Sequence, residues 1–172
     1  MKIDNYNITL LRLNFDLLES LRNWRNSDYV NNQMLFNDYI TEEMQLNWFN
    51  NLDANKNYYF IAFFQNSPVG VIHIKDIIGH RGEGGIFLID SKFENTDVVA
   101  RMVVCFNDFV FYKLKIQCIY SHVKRTNKKA ISSSISQGCK INEDKSTSDV
   151  IYFELFPENY EKKILKIKKI LK

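Results

Sequence analysis

Residues 58–77 read YYFIAFFQNSPVGVIHIKDI, and this stretch decides the fold. Two runs rich in β-branched and aromatic residues, 58–64 and 69–77, flank the four turn-forming residues 65–68. Such a pair is typical of an antiparallel hairpin. Residues 82–90 continue the pattern with a third predicted strand. The middle of the chain therefore indicates a sheet.

The segments before and after this predicted sheet contain apolar residues at helical spacing. Asn14, Thr41 and Thr96 or Asp97 are predicted helix N-caps, and Gly138 is a predicted left-handed helix end. In chain order, the predicted elements outside the central hairpin are strand 8–13, helix 15–24, helix 41–51, strand 82–90, a central helix from 97, strand 115–123, helix 126–137 and strand 150–156. This order contains no repeat and no low-complexity linker, and it predicts a mixed α/β fold in a single domain.

Composition distinguishes a globular domain from a lysine-rich tail. The 172 residues are 45% apolar and 25% charged, which is typical of a soluble globular domain. We expect the domain over 1–156 and a lysine-rich helical extension over 157–172. The excess positive charge lies in that tail, which does not favour nucleic acid binding. The tail is expected to turn four apolar residues toward the body, namely Ile164, Leu165, Ile167 and Leu171.

Several functional classes are not favoured by the sequence. Cys105, Cys118 and Cys139 are odd in number and lack CxxC spacing, so we expect reduced thiols and neither a disulfide framework nor a metal site. No apolar run approaches the roughly 18 residues of a membrane span. The expectation is a cytoplasmic protein without membrane contact.

Three groups of residues carry a family resemblance. They are Trp24, Arg25, Asn26, Met34, Ile40 and Trp48; then YFIA at 59–62 with VGVI at 69–72; then Asn127, Ala130, Gly138 and Cys139. In this order they resemble the GNAT-superfamily N-acetyltransferases, and in particular the nucleotide-sugar N-acetyltransferases of the pseudaminic acid pathway and the ribosomal-protein alanine acetyltransferases. The resemblance covers residues 8–142.

The resemblance implies the GNAT acyl-CoA N-acyltransferase fold, with acetyl-CoA as co-substrate. In that fold two central strands splay apart and admit the pantetheine arm, here along the backbone of Phe87, Leu88 and Ile89. The pyrophosphate is expected at the start of the central helix, where free N–H groups favour an anion. The implied cofactor-binding residues at that start and nearby are Glu94, Asn95, Thr96, Asp97, Val98, Val99 and Asn127.

The implied phosphate loop departs from the family pattern. It has none of the glycines that the pattern contains, and Glu94 and Asp97 add negative charge. Asp97 has an alternative interpretation as the cap of the central helix and not as part of a phosphate site. Lys92, Arg101 and Lys128 are the candidate compensating cations.

Four residues are candidates for proton transfer. Many relatives have a tyrosine seven residues after the asparagine at 127, where this chain has Ser134, a poorer acid and alternatively plain helix surface. Glu83, His73 and His122 are candidate bases, and each is alternatively a structural residue of its strand.

The last group of candidate residues is expected to bind the substrate that accepts the acetyl group. Arg25, Met34 and Trp48 are the candidate substrate-binding residues. Arg25 is expected to pair with a diphosphate, or alternatively to lie on the surface. Trp48 is expected to stack on a base or sugar, or alternatively to pack in the core. The predicted function is acetyl transfer to a primary amine, expected on a nucleotide-linked amino sugar. A protein N-terminus as acceptor and a non-catalytic binding or assembly module are the alternatives, and a homodimer through the sheet edge stays open.

Overall fold

An eight-stranded sheet runs through the computed structural model, which describes residues 1–171. Its strands are β1 (Lys2–Asn5), β2 (Ile8–Arg12), β3 (Tyr58–Phe64), β4 (Ser67–Ile78), β5 (Arg81–Leu88), β6 (Cys118–Lys124), β7 (Lys140–Ile141) and β8 (Val150–Leu155). The spatial order is β1-β2-β3-β4-β5-β6-β8-β7. Every neighbouring pair is antiparallel except β5 and β6, which are parallel. The predicted mixed α/β architecture is confirmed.

Residues 1–171 contain six α-helices, of which five lie between strands and the sixth follows the last strand. They are α1 (Leu18–Asn26), α2 (Asp28–Asn31), α3 (Glu42–Asn50), α4 (Asp97–Asp108), α5 (Lys128–Ser136) and α6 (Pro157–Leu171). The predicted cap at Thr41 is confirmed, because its hydroxyl accepts a hydrogen bond from the Met44 amide at 3.2 Å. Asn14 makes no side-chain cap. Gly138 ends the α5 segment with φ +96°, as predicted.

Tight two-residue turns account for the main differences between the predicted and the observed ends of the strands. Gln65 and Asn66 both have positive φ, so the central hairpin turns there and β4 begins at Ser67, two residues earlier than predicted. Tyr6 and Asn7 likewise have positive φ and join β1 to β2. Strand β1 was not predicted, because its short polar sequence KIDN lacks a strand pattern.

The sheet packs on both faces. On one face Phe60, Ile72 and Ile74 contact a core that includes Met102 and Phe106 of α4. On the other face Ile61 and Val71 pack against Leu21 of α1. A one-residue shift along β3 or β4 would exchange these faces, so the hydrophobic alternation fixes the strand register.

The C-terminal helix α6 belongs to the core on the α4 side. Tyr160 is 0% exposed, and Ile164 and Leu171 are buried as predicted. Ile167 is partly buried against the same core. Leu165 is 62% exposed, so its predicted inward orientation is wrong. The helix turns only one stripe inward, and Leu165 lies beside Ile164 in sequence, about 100° further around the axis.

One carboxylate links α6 to the rest of the domain. Asp108 at the end of α4 accepts hydrogen bonds from the Tyr6 hydroxyl (2.8 Å) and the Tyr160 hydroxyl (2.8 Å). It also pairs with the Lys168 ammonium at 2.7 Å. The turn between β1 and β2, the central helix and the last helix therefore meet at Asp108.

Strands β5 and β6 separate soon after they pair. Only residues 81–83 of β5 pair with residues 118–120 of β6. In the part of the chain that the structure describes, 84–88 have no partner on that side, although β6 stays paired with β8 as far as Lys124. Gly84 lies at the point of separation, where an added Cβ would stand 2.4 Å from Ile119 Cγ2. The result is a wedge that opens toward the start of α4.

Cys105 and Cys118 are buried and Cys139 is half-buried, and all three are free. No helix within residues 1–171 has both the length and the apolarity that crossing a bilayer requires.

Candidate active site

A cavity of about 1160 Å³ occupies the wedge. Its lining includes Gly84, Ile86 and Leu88 of β5 together with residues of α1, α3, α4, α5 and α6. The cavity therefore connects both faces of the sheet through the gap between β5 and β6.

The gap exposes part of the β5 backbone. The Ile89 amide donates to the Val69 carbonyl at 3.0 Å, so it is already used by the sheet, and Ile89 does not line the cavity. The prediction that the Ile89 backbone binds the pantetheine arm is therefore corrected. Along an antiparallel ladder successive residues turn their N–H and C=O groups to opposite sides. Phe87 faces β4 with its backbone, while Leu88 and Ile86 direct theirs into the gap.

The start of α4 presents unused backbone donors. Thr96 is the N-cap residue, but its hydroxyl donates to the Phe93 carbonyl at 2.7 Å, and no side chain that the structure describes caps the helix. The N–H groups of a first helical turn have no partner within the helix. Asn95, which lines the cavity, adopts φ +58°, a conformation that asparagine tolerates. This helix start can therefore receive an anion.

The two acidic residues of this loop are both compensated. Glu94 lines the cavity and accepts hydrogen bonds from the Lys129 ammonium (2.5 Å) and the Tyr29 hydroxyl (2.9 Å), and these bonds lower the pKa of its carboxyl group. Asp97 pairs with Arg101 at 2.8 Å and does not line the cavity. The repulsion between these two carboxylates and the phosphates of CoA is therefore expected to be weaker than the sequence alone indicates. The Val98 side chain is buried in the core, so the predicted cofactor contact of Val98 is limited to its backbone N–H group in the first turn of α4.

Helix α5 borders the cavity opposite α4. Asn127 caps it, since its side-chain oxygen accepts from the Ala130 amide at 3.0 Å. Ser134, half-buried, lines the cavity about two turns after Asn127 along the helix. Val99 lines it from α4.

Two of the candidate bases lie together where β5 and β6 part. His122 Nδ1 is 3.4 Å from Glu83 Oε1, and the Lys75 ammonium is 3.2 Å from Glu83 Oε2. All three residues line the cavity. A carboxylate and an imidazole in contact can accept and pass on a proton.

His73 occupies a different environment. Its ring stacks on Tyr59 with centroids 4.7 Å apart, and an added Cβ on Gly85 would stand 2.4 Å from the ring. Burial, with help from the charges of Lys75 and Arg25, lowers the pKa of His73 to about 3. Its buried Nδ1 has no partner among the described residues. So weak a base disfavours His73 in proton abstraction at neutral pH.

The three candidate substrate-binding residues all line the cavity on the α1 and α3 side. Arg25 donates to the Phe36 carbonyl at 3.3 Å and lies 5.8 Å from the Phe87 ring centroid. Burial lowers the pKa of its guanidinium, and no carboxylate in the described chain pairs with it. Trp48 packs edge-on against Tyr59 at 5.0 Å, so it serves both core and cavity. Met34 lies in the loop after α2.

Two residues of this side were missed as site residues. The Asn26 side chain exchanges two hydrogen bonds of 2.8 Å with the backbone of Ile40 and so fixes one end of the loop that carries Met34. Gln45 is 6% exposed, lines the cavity, and its Nε2 has no partner among the described residues. Its polar side chain between Met44 and Leu46 was the available signal.

The charges on the cavity wall are unbalanced. The lining includes five basic side chains and two carboxylates, which leaves a net charge of +3. These are Arg25, Lys75, Lys124, Lys128 and Lys129 against Glu83 and Glu94. The described residues contain no cluster of three potential metal-binding side chains.

Several solved structures that superpose on this chain are acetyltransferases, one of them described as a GNAT, and the chain has the GNAT fold. The sequence matches no protein-family model and no curated protein. Among solved structures, apo FdhC, described as a nucleotide-linked sugar GNAT, is 16% identical and superposes with a TM-score of 0.82 over 100% of this chain and 99% of its own.

Two further neighbours come from Vibrio species. The Vibrio cholerae spermidine N-acetyltransferase in complex with CoA and spermine is 19% identical, with a TM-score of 0.78 over 91% of this chain and 99% of its own. The Vibrio fischeri ribosomal-protein-S5-alanine acetyltransferase is 15% identical, with a TM-score of 0.73 over 93% and 98%.

Proposed function

We propose that this protein is an N-acetyltransferase that moves an acetyl group from acetyl-CoA to a primary amine. The observation that carries the proposal is the separation of β5 from β6 after three paired residues, beside the uncapped start of α4. Backbone groups of Ile86 and Leu88 would bind the pantetheine amides, and the first-turn N–H groups of α4 would bind the pyrophosphate. Acetyl-CoA fits this cleft and supplies the acyl thioester. The neighbours solved with CoA are consistent with it.

Residues near the apex of the wedge, the point where β5 and β6 separate, are proposed to assist the two halves of the reaction. Glu83, supported by His122, takes a proton from the acceptor ammonium, directly or through water, so that the free amine can form the new C–N bond. The C–S bond then breaks, and the nitrogen gives up its second proton to solvent. The Ser134 hydroxyl hydrogen-bonds to the departing thiolate, and the thiolate takes its proton from solvent. No covalent enzyme intermediate is needed, because the cleft brings amine and thioester together.

The charge of the cavity favours an anionic acceptor, and we propose a nucleotide-linked amino sugar. Arg25 has no carboxylate partner in the described chain, and its fork of donors fits a diphosphate. A polyamine would meet net positive charge in the same cleft. The nucleotide-linked sugar GNAT among the structural neighbours is consistent with this choice.

The proposal is tested on the purified chain. Titration with acetyl-CoA in a calorimeter should give a saturable heat, and the protein should release CoA thiol when a nucleotide-linked amino sugar is added. Absence of both heat and a rise in melting temperature at millimolar acetyl-CoA would refute the proposal and favour a non-catalytic module.

Lys129→Met should weaken acetyl-CoA binding by between about threefold and tenfold, because Glu94 would then face the pyrophosphate uncompensated. The dissociation constant is measured by calorimetry at low salt. Lys92→Met is the matched control, since Lys92 pairs with Asp90 and does not line the cavity. Equal effects of the two variants would contradict a specific role for Lys129.

Arg25→Met should raise KM for a nucleotide-linked amino sugar by about 10-fold to 100-fold, because a charge-assisted pair with phosphate would be lost. KM for acetyl-CoA should stay within about twofold. Arg25→Lys, which keeps the charge but not the fork, should fall between. A similar rise in KM with spermidine as acceptor would show that Arg25 acts through the fold instead.

A further inference from the structure

Two buried polar atoms on the α1 and α3 side of the cavity have no hydrogen-bond partner. They are Nδ1 of His73 on β4 and Nε2 of Gln45 on α3, and neither bonds to a residue that the structure describes. Both residues line the cavity. A buried polar atom that stays unpaired costs free energy, so such atoms are normally matched by protein, water or ligand. Two of them beside one cleft indicate that a ligand supplies the missing partners.

The His73 ring has a defined position across three strands. His73 pairs in register with Tyr59 of β3 on one side and with Gly85 of β5 on the other. Its ring stacks on the Tyr59 ring, and an added Cβ on Gly85 would stand 2.6 Å from His73 Nε2. The ring therefore lies over residue 85, which is possible because this residue has no side chain.

The register of β4 and β5 places His73 between the candidate base and Arg25. Residues of one sheet face repeat every two positions along a strand, so Glu83 and Phe87 share a face with Gly85. Because Gly85 pairs with His73, Glu83 lies one row to one side of the ring and Phe87 one row to the other, each about 7 Å away along the strand. Arg25 lies 5.8 Å from the Phe87 ring centroid. A molecule that extends from Glu83 to Arg25 therefore passes His73.

Gln45 approaches the same part of the cavity from α3. It lies three residues before Trp48, on the same side of the helix. Trp48 packs edge-on against Tyr59 at 5.0 Å, and Tyr59 is the ring on which His73 stacks. The terminal torsions of glutamine and histidine side chains are broad and roughly two-fold, so each group can present its unpaired nitrogen to a ligand by turning in place.

A hydroxyl group matches both unpaired nitrogens. Burial lowers the pKa of His73 to about 3, so the ring is neutral at neutral pH and Nδ1 is either a donor or an acceptor. A hydroxyl can be the partner in both cases, and it can also accept from the N–H groups of Gln45. A second ammonium group on the acceptor could only donate, so it could not pair with Gln45 Nε2.

We propose that His73 and Gln45 bind a free hydroxyl group that stands next to the amine on the sugar ring of the acceptor. The proposal rests on the proposed transferase function and specifies which amino sugars the protein accepts. An amine at Glu83 and a hydroxyl on the neighbouring carbon, each with its own hydrogen bond of about 3 Å, span the roughly 7 Å between two rows. The far side of the sugar is then directed toward Arg25, where the diphosphate binds.

Pairs of acceptors that differ only beside the amine test the proposal. The acceptors are UDP-linked aminodeoxyglucoses with the amine on the second, third or fourth carbon, each compared with the analogue in which hydrogen replaces every hydroxyl next to the amine. The value of kcat/KM is measured from CoA release at saturating acetyl-CoA. At least one hydroxylated acceptor should be turned over with a kcat/KM about fivefold to 100-fold above that of its deoxy analogue, because the analogue leaves buried polar atoms unpaired.

Two variants assign the preference to its residues. His73→Phe keeps a ring that can stack on Tyr59 but removes both nitrogens, and Gln45→Met keeps the length of the side chain but removes the amide. Each should lower kcat/KM for the hydroxylated acceptor by at least about threefold and leave the deoxy analogue within about twofold. His80→Phe is the matched control, since His80 is exposed and does not line the cavity.

The possible outcomes separate this inference from the transferase function. A preference below about fivefold in every pair, or equal losses on both members of a pair in the two variants, would overturn the inference and leave the transferase function in place. If a variant fails to fold, the pairs with the unaltered protein decide. Binding of acetyl-CoA without turnover of any of these acceptors would overturn the choice of acceptor together with the inference. Absence of acetyl-CoA binding would overturn the transferase function itself.

Discussion

Glu83→Gln is expected to lower kcat by about 10²-fold to 10⁴-fold while KM for acetyl-CoA changes little. Glutamine has the shape of glutamate and can still hydrogen-bond to His122 and Lys75, but it cannot accept a proton from the acceptor ammonium. Glu83 lies in the last residue pair that joins β5 to β6, so its side chain stands at the apex where amine and thioester must meet. Steady-state rates of CoA release measure the effect.

Companion variants separate proton transfer from binding. His122→Asn should lower kcat less than Glu83→Gln, and the double variant should lose little more than Glu83→Gln, because the two residues act as a unit. Glu161→Gln is the matched control, since Glu161 is an exposed surface residue that contacts Tyr112. If kcat of Glu83→Gln stays within about threefold of the parent, the base lies elsewhere.

Asp108→Ala is expected to lower the free energy of unfolding by about 3 kcal/mol. The change leaves the Tyr6 hydroxyl without its acceptor and leaves the Tyr160 hydroxyl with only its longer bond to the Val104 carbonyl at 3.2 Å. It also leaves Lys168, 23% exposed, without its counter-ion. Unfolding in urea provides the measurement, with a lower midpoint and an unchanged slope.

The control for this prediction is Asp16→Ala, because Asp16 is exposed and lies away from the Asp108 cluster. Tyr6→Phe removes one of the three bonds and should cost about 1 kcal/mol. A loss below about 1 kcal/mol for Asp108→Ala would mean that water replaces the carboxylate at little cost. A large loss would support treating α6 as part of the domain core, although its sequence suggests a separate extension.

The sequence predicted the order of the elements but not the geometry of the cleft. Local patterns suffice for the central hairpin and for the cap at Thr41, because each depends on neighbouring residues. The wedge depends on where β5 stops pairing with β6, two strands separated by the whole of α4. No local pattern encodes that position, and the resemblance to GNAT proteins was needed to expect it.

Side-chain direction explains the remaining differences at the site. Asp97 and Glu94 looked equivalent as acidic loop residues, yet Asp97 turns along the helix to Arg101 while Glu94 meets Lys129 from α5. His73 and His122 looked equivalent as strand histidines, yet only His122 contacts Glu83. In each pair one member meets a partner from a distant part of the chain, namely Lys129 for Glu94 and Glu83 for His122.

The excess of basic side chains on the cavity wall also affects how quickly ligands arrive. A cleft with low-dielectric walls and one sign of charge draws oppositely charged molecules from a distance comparable to the Debye length, about 8 Å at physiological ionic strength. Anionic ligands should be captured faster at low ionic strength, and added salt should slow their capture more than it slows their conversion.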